Sequence, residues 1–173
     1  RSVVRPDERV VWLTTWEDRL SLLSATGTRV APVTFTQEVM KLSAEEFLEE
    51  LWAGLRISHL VVGPDFAMGH EREGTIPILK ELAISHNFTM EVVSALTLDN
   101  TLVNSTAIRD ALASAELERA SKYLGRHFHL TGAVIRGHGR GGSELGYPTV
   151  NLGLAESQAL PADGVYAGWL IVK

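Results

Sequence analysis

The apolar positions near the start of the chain follow the spacing of an amphipathic helix. Trp16, Leu20 and Leu23 fall on one face of such a helix. Thr15 stands where an N-cap is expected and Gly27 follows the last apolar position, so the pattern predicts a helix between them.

A capping box predicts the start of a second helix. Ser43 and Glu46 have the types and spacing of this motif. Before it, residues 28–35 read as a strand, and Pro32 favours a place for that strand near a sheet edge. The apolar stripe of the helix consists of Phe47, Leu48, Leu51, Trp52 and Leu55.

The middle of the chain alternates between strand and helix. Residues 57–63 are almost entirely apolar, which predicts a parallel strand covered on both faces. After a polar, glycine-containing loop, Thr75 can cap a helix, and residues 88–93 then read as another strand. The alternation predicts an α/β fold with a parallel sheet.

The pattern changes after Gly125. Two short helices precede it, the first of which begins at Asn104 or Ser105, and no helical period follows it. We therefore predict an α/β domain over residues 1–125 and the start of an all-β domain over residues 126–173. The strand-like segments of the second domain are residues 127–131, 133–135 and 164–172.

Composition limits the classes of partner. The chain has 173 residues, of which 45% are hydrophobic, and a net charge of −5, so a bulk nucleic-acid partner is not expected. The sequence has no cysteine, which excludes disulfides and thiolate chemistry and favours a cytoplasmic location. Its apolar runs are far shorter than the roughly 20 residues of a membrane helix, so no membrane partner is expected. The sequence does not predict the oligomeric state.

The helix that begins near Asn104 is the first candidate site. Ser105 and Thr106 place hydroxyl groups beside unpaired N–H groups, and the helix dipole favours an anion there. Arg109 opposes the dipole at a cost of about 0.3–1 kcal/mol, which contact with a phosphate would offset. The alternative is an ordinary Ser/Thr cap with Arg109 paired to Asp110 or another carboxylate.

The loop at residues 62–75 is the second candidate, because it leaves the carboxyl end of a buried strand, where open parallel sheets bind ligands. The alternative is a connecting loop with glycines for its turns.

A glycine-rich segment, GHGRGGSELGYPTVNL at residues 137–152, is the third candidate. It has no lysine and precedes a strand, so it is not a Walker loop. Its backbone N–H groups could still line an anion, and Thr149 and Asn151 offer hard oxygen donors suited to Mg²⁺ on one face of a strand. The alternative is a β-hairpin loop followed by an ordinary strand.

His127 and His129 would share a face of a strand and could form two ligands of a metal site. No third ligand stands nearby in sequence, so we expect them to face solvent or to make hydrogen bonds instead.

Taken in order, these segments resemble the bifunctional riboflavin kinase/FMN adenylyltransferases, the prokaryotic FAD synthetases. The matching stretches are VVGPDFAMG at residues 61–69, NSTAIR at 104–109, LGYPTVNL at 145–152 and LPADGVYA at 160–167. The resemblance implies that ATP phosphorylates riboflavin to FMN in a β-barrel domain. It also implies that a second ATP adenylylates FMN to FAD in a Rossmann-like domain, with Mg²⁺ as the metal.

The resemblance also implies roles for individual residues. Ser105, Thr106 and Arg109 would bind ATP phosphates during adenylyl transfer, with Arg109 as the catalytic cation. Asp65 and Phe66 would lie on the wall of the flavin-binding adenylyltransferase pocket. In the kinase domain, the nucleotide-binding residues would be Gly137, Gly139, Arg140, Gly141, Thr149 and Asn151, the last two also holding Mg²⁺.

The sequence departs from the family pattern in two places. The His-x-Gly-His motif of the adenylyltransferase is absent, and the chain ends at Lys173, before the later barrel strands that carry the kinase glutamate. We therefore expect a fragment that binds nucleotide weakly and completes neither reaction. The alternative is a non-catalytic flavin- or nucleotide-binding module of the same fold.

Overall fold

The structure is a computed structural model that describes residues 11–137 and 149–172. These residues separate into two compact units. Unit 1 contains residues 31–97, and unit 2 contains residues 11–30, 98–137 and 149–172. Unit 2 therefore combines residues from both predicted domains, and the domain boundary near residue 126 stays a prediction.

The described residues form helices and short strands. The helices are α1 (Trp16–Ser24), α2 (Gln37–Lys41), α3 (Ala44–Leu55), α4 (Ile76–Ser85), α5 (Ser105–Ala113) and α6 (Leu117–Leu124). The strands are β1 (His59–Val62), β2 (Thr89–Val92), β3 (Thr97–Leu98), β4 (Thr101–Leu102), β5 (Ala133–Ile135) and β6 (Asn151–Gly153).

Three helix ends lie where the sequence predicts them. Thr15 caps α1 by accepting a hydrogen bond from the Asp18 N–H at 3.1 Å. The capping box of α3 is complete, because the Ser43 N–H donates to Glu46 at 2.7 Å and the Glu46 N–H donates to Ser43 at 3.1 Å. Gly125 ends α6 in the left-handed conformation, as its place in the sequence predicts.

Unit 1 is built on one face of a two-stranded parallel sheet. β1 and β2 pair in parallel, with His59 opposite Thr89 and Val62 opposite Val92, which confirms the parallel arrangement. The predicted coverage of both faces is wrong for β1, because Val61 is 54% exposed while Val62 is buried. The core of the unit consists of Leu48, Leu79, Ala83 and Phe88.

Residues 28–35 form no strand, which corrects the prediction made from their sequence. Pro32 has no N–H to donate, and no described segment pairs with this stretch. Val33 and Phe35 are exposed. A β-branched, apolar stretch without a partner strand remains extended coil.

The loop between β1 and α4 packs tightly on the start of α3. The Ala44 N–H, which the capping box leaves free, donates to the carboxylate of Glu73 at 2.9 Å. The His70 N–H donates to the Leu42 carbonyl at 2.8 Å. Gly69 and Gly74 lie so close to Ala44 that a Cβ at either position would overlap it. The loop is therefore held by the first turn of α3.

Unit 2 has its core where α5 and α6 meet. The buried residues of this core are Ile108, Ala111, Leu112, Ala120, Tyr123 and Ala159. β5 and β6 pair in antiparallel fashion, with Ile135 opposite Asn151. Residues 127–131 and 164–172 form no strand, contrary to the sequence prediction, because no described segment supplies the hydrogen-bond partners that a strand requires.

We expect Gly69→Ala to lower the free energy of unfolding by more than Gly27→Ala. Gly69 and Gly27 have φ of +79° and +80°, so alanine at either position costs roughly 1–2 kcal/mol of backbone strain. Only at Gly69 does the new Cβ also overlap the Ala44 backbone, whereas Gly27 has nothing within 4 Å. Urea denaturation of the two variants measures the difference in the free energy of unfolding. Equal decreases in the two variants would show that the loop moves away from α3 without a loss of stability.

Candidate functional site

The start of α5 is capped by Asn104. Its side-chain oxygen accepts hydrogen bonds from the N–H groups of Thr106 and Ala107, both at 2.9 Å. The cap residue is therefore Asn104, and not the serine or threonine of the alternative. The side chains of Ser105 and Thr106 are exposed, so their hydroxyl groups remain accessible beside the positive end of the helix dipole.

Arg109 is half-buried and bound through one of its donors. Its Nε–H donates to the main-chain carbonyl of Val11 at 2.8 Å, 98 residues away in sequence. Among the described residues, Arg109 forms no ion pair with Asp110 or with any other carboxylate. The two Nη groups are the ends of the guanidinium fork that suit a bidentate anion.

Asp65 and Phe66 lie in the β1–α4 loop of unit 1. The Asp65 carbonyl accepts a hydrogen bond from Arg72 at 2.9 Å, and the Phe66 N–H donates to the Gly63 carbonyl at 3.2 Å. The Asp65 side chain is exposed and Phe66 is 38% exposed. The anchored loop therefore presents a carboxylate and an aromatic ring outward.

The β5–β6 hairpin brings together two of the predicted kinase residues. The Asn151 side-chain amide lies over Gly137, where a Cβ would overlap it. β6 begins at Asn151, so Thr149 lies two residues before the strand and is exposed, which corrects the prediction that the two residues share one face of a strand. Gly139, Arg140 and Gly141 lie outside the described residues.

The oxygen donors of the hairpin suit a metal ion that is also coordinated by an anionic ligand. Thr149 offers a hydroxyl oxygen and Asn151 an amide oxygen, which are hard and neutral donors. Within residues 11–137 and 149–172, no three His, Cys, Asp or Glu side chains group as a metal site would require. These two residues therefore fit Mg²⁺ whose charge is balanced by phosphate oxygens.

His127 and His129 make separate contacts, and residues 127–131 form no strand on which the two could share a face. His127 stacks against Trp169 with their ring centroids 5.5 Å apart. His129 Nδ1 accepts a hydrogen bond from Arg126 at 3.0 Å, since arginine can only donate. Its Nε2 lies 3.4 Å from Asp18 Oδ2.

Asp18 is the titratable group of this part of unit 2 that sequence reasoning missed. Burial raises the pKa of its carboxyl, but hydrogen bonds from Thr15 and Thr131 and the charge of His129 outweigh that effect, so the pKa is lowered overall. The sequence contained one signal, because an acid at this position of the first helical turn commonly reaches back to the cap residue.

An open cleft of about 890 Å³ also lies in unit 2. Its lining residues are Asp99, Ala115, Glu116, Leu117, Glu118, Arg119, Lys122 and Tyr166. Two of its cations are already paired, Arg119 with Glu116 at 2.9 Å and Lys122 with Asp99 at 2.6 Å. None of the predicted site residues lines this cleft.

Two family models match the sequence. The model described as FAD synthetase matches residues 1–107, and the model described as riboflavin kinase matches residues 124–173. None of the helices in the described parts of the chain is both long and apolar enough to cross a membrane.

Curated relatives share the name bifunctional riboflavin kinase/FMN adenylyltransferase. The protein of Pseudomonas fluorescens is 37% identical over 80% of this chain and 44% of its own length. That of Buchnera aphidicola subsp. Schizaphis graminum is 39% identical over 78% of this chain and 43% of its own length. That of Escherichia coli K12 is 32% identical over 93% of this chain and 51% of its own length. The chain thus spans about half the length of these relatives.

A solved structure has a similar fold. That structure, named as a macrolide-efflux protein from Streptococcus pneumoniae, superposes with a TM-score of 0.79 at 27% identity. The match covers 90% of this chain and 50% of that chain.

We expect Asp18→Asn to flatten the dependence of stability on pH in acid. The ionised Asp18 carboxylate stabilises the fold above the ordinary pKa of 3.8, and this contribution is lost as the pH falls below that value towards the lowered pKa. Thermal unfolding between pH 7 and pH 2 measures the effect. Glu17→Gln is the matched control, because it removes an exposed charge from the same helical turn. Equal pH profiles for the two variants would contradict the role of Asp18.

Proposed function

Because the chain belongs to the FAD synthetase family, we propose that the whole protein makes FMN from riboflavin and ATP, and FAD from FMN and ATP. The named relatives support both reactions, and the two family models support an adenylyltransferase domain followed by a kinase domain with the boundary near residue 126. A cytoplasmic location, expected from the cysteine-free composition, is part of this proposal.

The proposal of adenylyltransferase activity is supported by the surroundings of Arg109. A half-buried guanidinium without a carboxylate partner among the described residues has lost part of its hydration without gaining an opposite charge. ATP phosphates would supply that charge. Arg109 would then offset the negative charge that develops on the phosphate during adenylyl transfer, while Ser105 and Thr106 donate hydrogen bonds from their hydroxyl groups.

The kinase half is supported by the β5–β6 hairpin. Thr149 and Asn151 would hold Mg²⁺ together with ATP, and the ion would supply charge neutralisation at the phosphates. A Cβ at Gly137 would overlap the Asn151 side-chain amide, so a side chain there would displace the amide. Gly139, Arg140 and Gly141 would complete the nucleotide loop.

The flavin side of the adenylyltransferase is assigned to Asp65 and Phe66. An exposed aromatic ring can stack on an isoalloxazine ring, and the anchored loop keeps that ring in place at little entropic cost.

We expect Arg109→Ala to weaken the binding of Mg²⁺-ATP about tenfold or more, because charge-assisted hydrogen bonds contribute roughly 1.5–3 kcal/mol. Thr149→Ala should weaken the binding of Mg²⁺-ATP at the separate site proposed in the kinase domain. Isothermal titration of the 173-residue chain measures both. Arg29→Ala is the control, because Arg29 is an exposed arginine in the same unit. Unchanged affinity in both test variants would overturn the site assignment.

A second measurement concerns turnover. We expect the 173-residue chain to bind Mg²⁺-ATP without forming FAD, since its sequence contains no His-x-Gly-His motif. Chromatography after incubation with FMN, ATP and Mg²⁺ detects any FAD, and an FAD peak would contradict this expectation. If a chain of the relatives' full length also binds without turnover, the protein is a non-catalytic nucleotide-binding module.

A further inference from the structure

Trp12 is joined to the kinase-matching half of the sequence through its main chain. Its N–H donates to the Ser157 carbonyl at 2.6 Å, and its carbonyl accepts from the Ala159 N–H at 2.7 Å. The two segments form a parallel bridge centred on Trp12 and Gln158. All of these residues belong to unit 2. Both main-chain hydrogen-bonding groups of Trp12 are thus used by residues 157–159.

The same segment is also joined to α5. The Ala162 N–H donates to the Leu112 carbonyl near the end of that helix at 3.0 Å. Ala159 is 4% exposed and packs in the core that contains Ile108 and Leu112. Residues 157–162 are therefore bound at one end to Trp12 and at the other end to α5.

Arg109 connects α5 back to the segment that contains Trp12. It lies on α5 and donates to the carbonyl of Val11, the residue next to Trp12. Movement of residues 157–159 would shift Trp12 and with it the carbonyl that holds the Arg109 Nε. Because the guanidinium group is planar, the direction of its Nε bond also sets the direction of both Nη groups.

We propose that residues 157–162, through Val11 and Trp12, position the Arg109 guanidinium for phosphate binding, so that the kinase-matching half of the chain controls nucleotide affinity at α5. The proposal rests on the phosphate-binding role proposed for Arg109. Trp12 and Ala159 are positioning residues, because they act on the nucleotide through Arg109.

The positioning contacts are made by the main chain. The Gln158 side chain is buried, and neither of its polar atoms has a hydrogen-bond partner among the described residues. The Arg19 guanidinium lies over the Trp12 ring at 4.8 Å and restrains the indole rather than the bridge. A test must therefore remove a main-chain donor.

Ala159→Pro removes the N–H that binds the Trp12 carbonyl. The preceding Gln158 lies in an extended bridge, a conformation that a following proline tolerates. We expect this variant to bind Mg²⁺-ATP about five- to tenfold more weakly at the Arg109-dependent site. Ala159→Ser keeps the N–H and should restore affinity to within about twofold of the parent. Ala167→Pro is the matched control, because Ala167 is exposed and makes no main-chain hydrogen bond to a described residue.

A double-mutant cycle separates positioning from general damage to the fold. In an Arg109→Ala background, Ala159→Pro should cause no further loss of affinity, because its effect passes through Arg109. An equal loss in both backgrounds would overturn the proposal, as would equal affinities of Ala159→Pro and Ala167→Pro. If Arg109→Ala itself leaves the affinity for Mg²⁺-ATP unchanged, Arg109 does not bind the phosphates, and the proposed coupling to residues 157–162 is wrong as well. A loss in Arg109→Ala without a loss in Ala159→Pro overturns the coupling alone.

Hydrogen exchange of the unaltered chain tests the coupling even if Ala159→Pro does not fold. Because coupling is reciprocal, saturating Mg²⁺-ATP should slow exchange at the Trp12 and Ala159 amides about fivefold or more. The same nucleotide should leave the Leu79 amide of unit 1 unchanged. Unchanged exchange at Trp12 and Ala159, measured with nucleotide bound, would overturn the proposal.

Discussion

The main chain of Trp12 is the contact on which unit 2 depends. Its N–H and its carbonyl both bind residues 157–159, while the neighbouring Val11 carbonyl binds Arg109. These hydrogen bonds connect residues from the two ends of the chain, so α5 and the later residues form one cooperative core. A buried main-chain group without a partner would cost about 1–3 kcal/mol, so these contacts favour a single arrangement. The candidate phosphate site is built on that arrangement.

In unit 1, the corresponding constraint is the close packing of the β1–α4 loop against the start of α3. Ala44, the first residue of α3, lies against Gly69 and Gly74 and donates to Glu73. The loop that carries Asp65 and Phe66 is thereby bound to a helix instead of being free in solvent. A ligand that meets this loop finds it already ordered, so less conformational entropy is lost on binding.

The helices could be read from the sequence, and several strands could not. Thr15, the Ser43–Glu46 box and Asn104 form their caps with residues two or three positions away, so the information is local. Outside a tight hairpin, a strand needs a partner that is distant in sequence, and residues 28–35 and 164–172 have none among the described residues. The short β3–β4 hairpin has a local signal in the sequence, because Asp99 and Asn100 are residue types that tolerate the positive φ of a tight hairpin turn, and both have positive φ.

The sequence by itself determined the order of the motifs, the start of α5 at Asn104 or Ser105 and the presence of Arg109 near that start, because these features depend on residues within one helical turn. The family assignment rests on the same local motifs, and the family models agree with it. Only the tertiary structure decided the partner of Arg109. The Val11 carbonyl is 98 residues away, and every residue has a main-chain carbonyl, so no side-chain pattern could have singled it out.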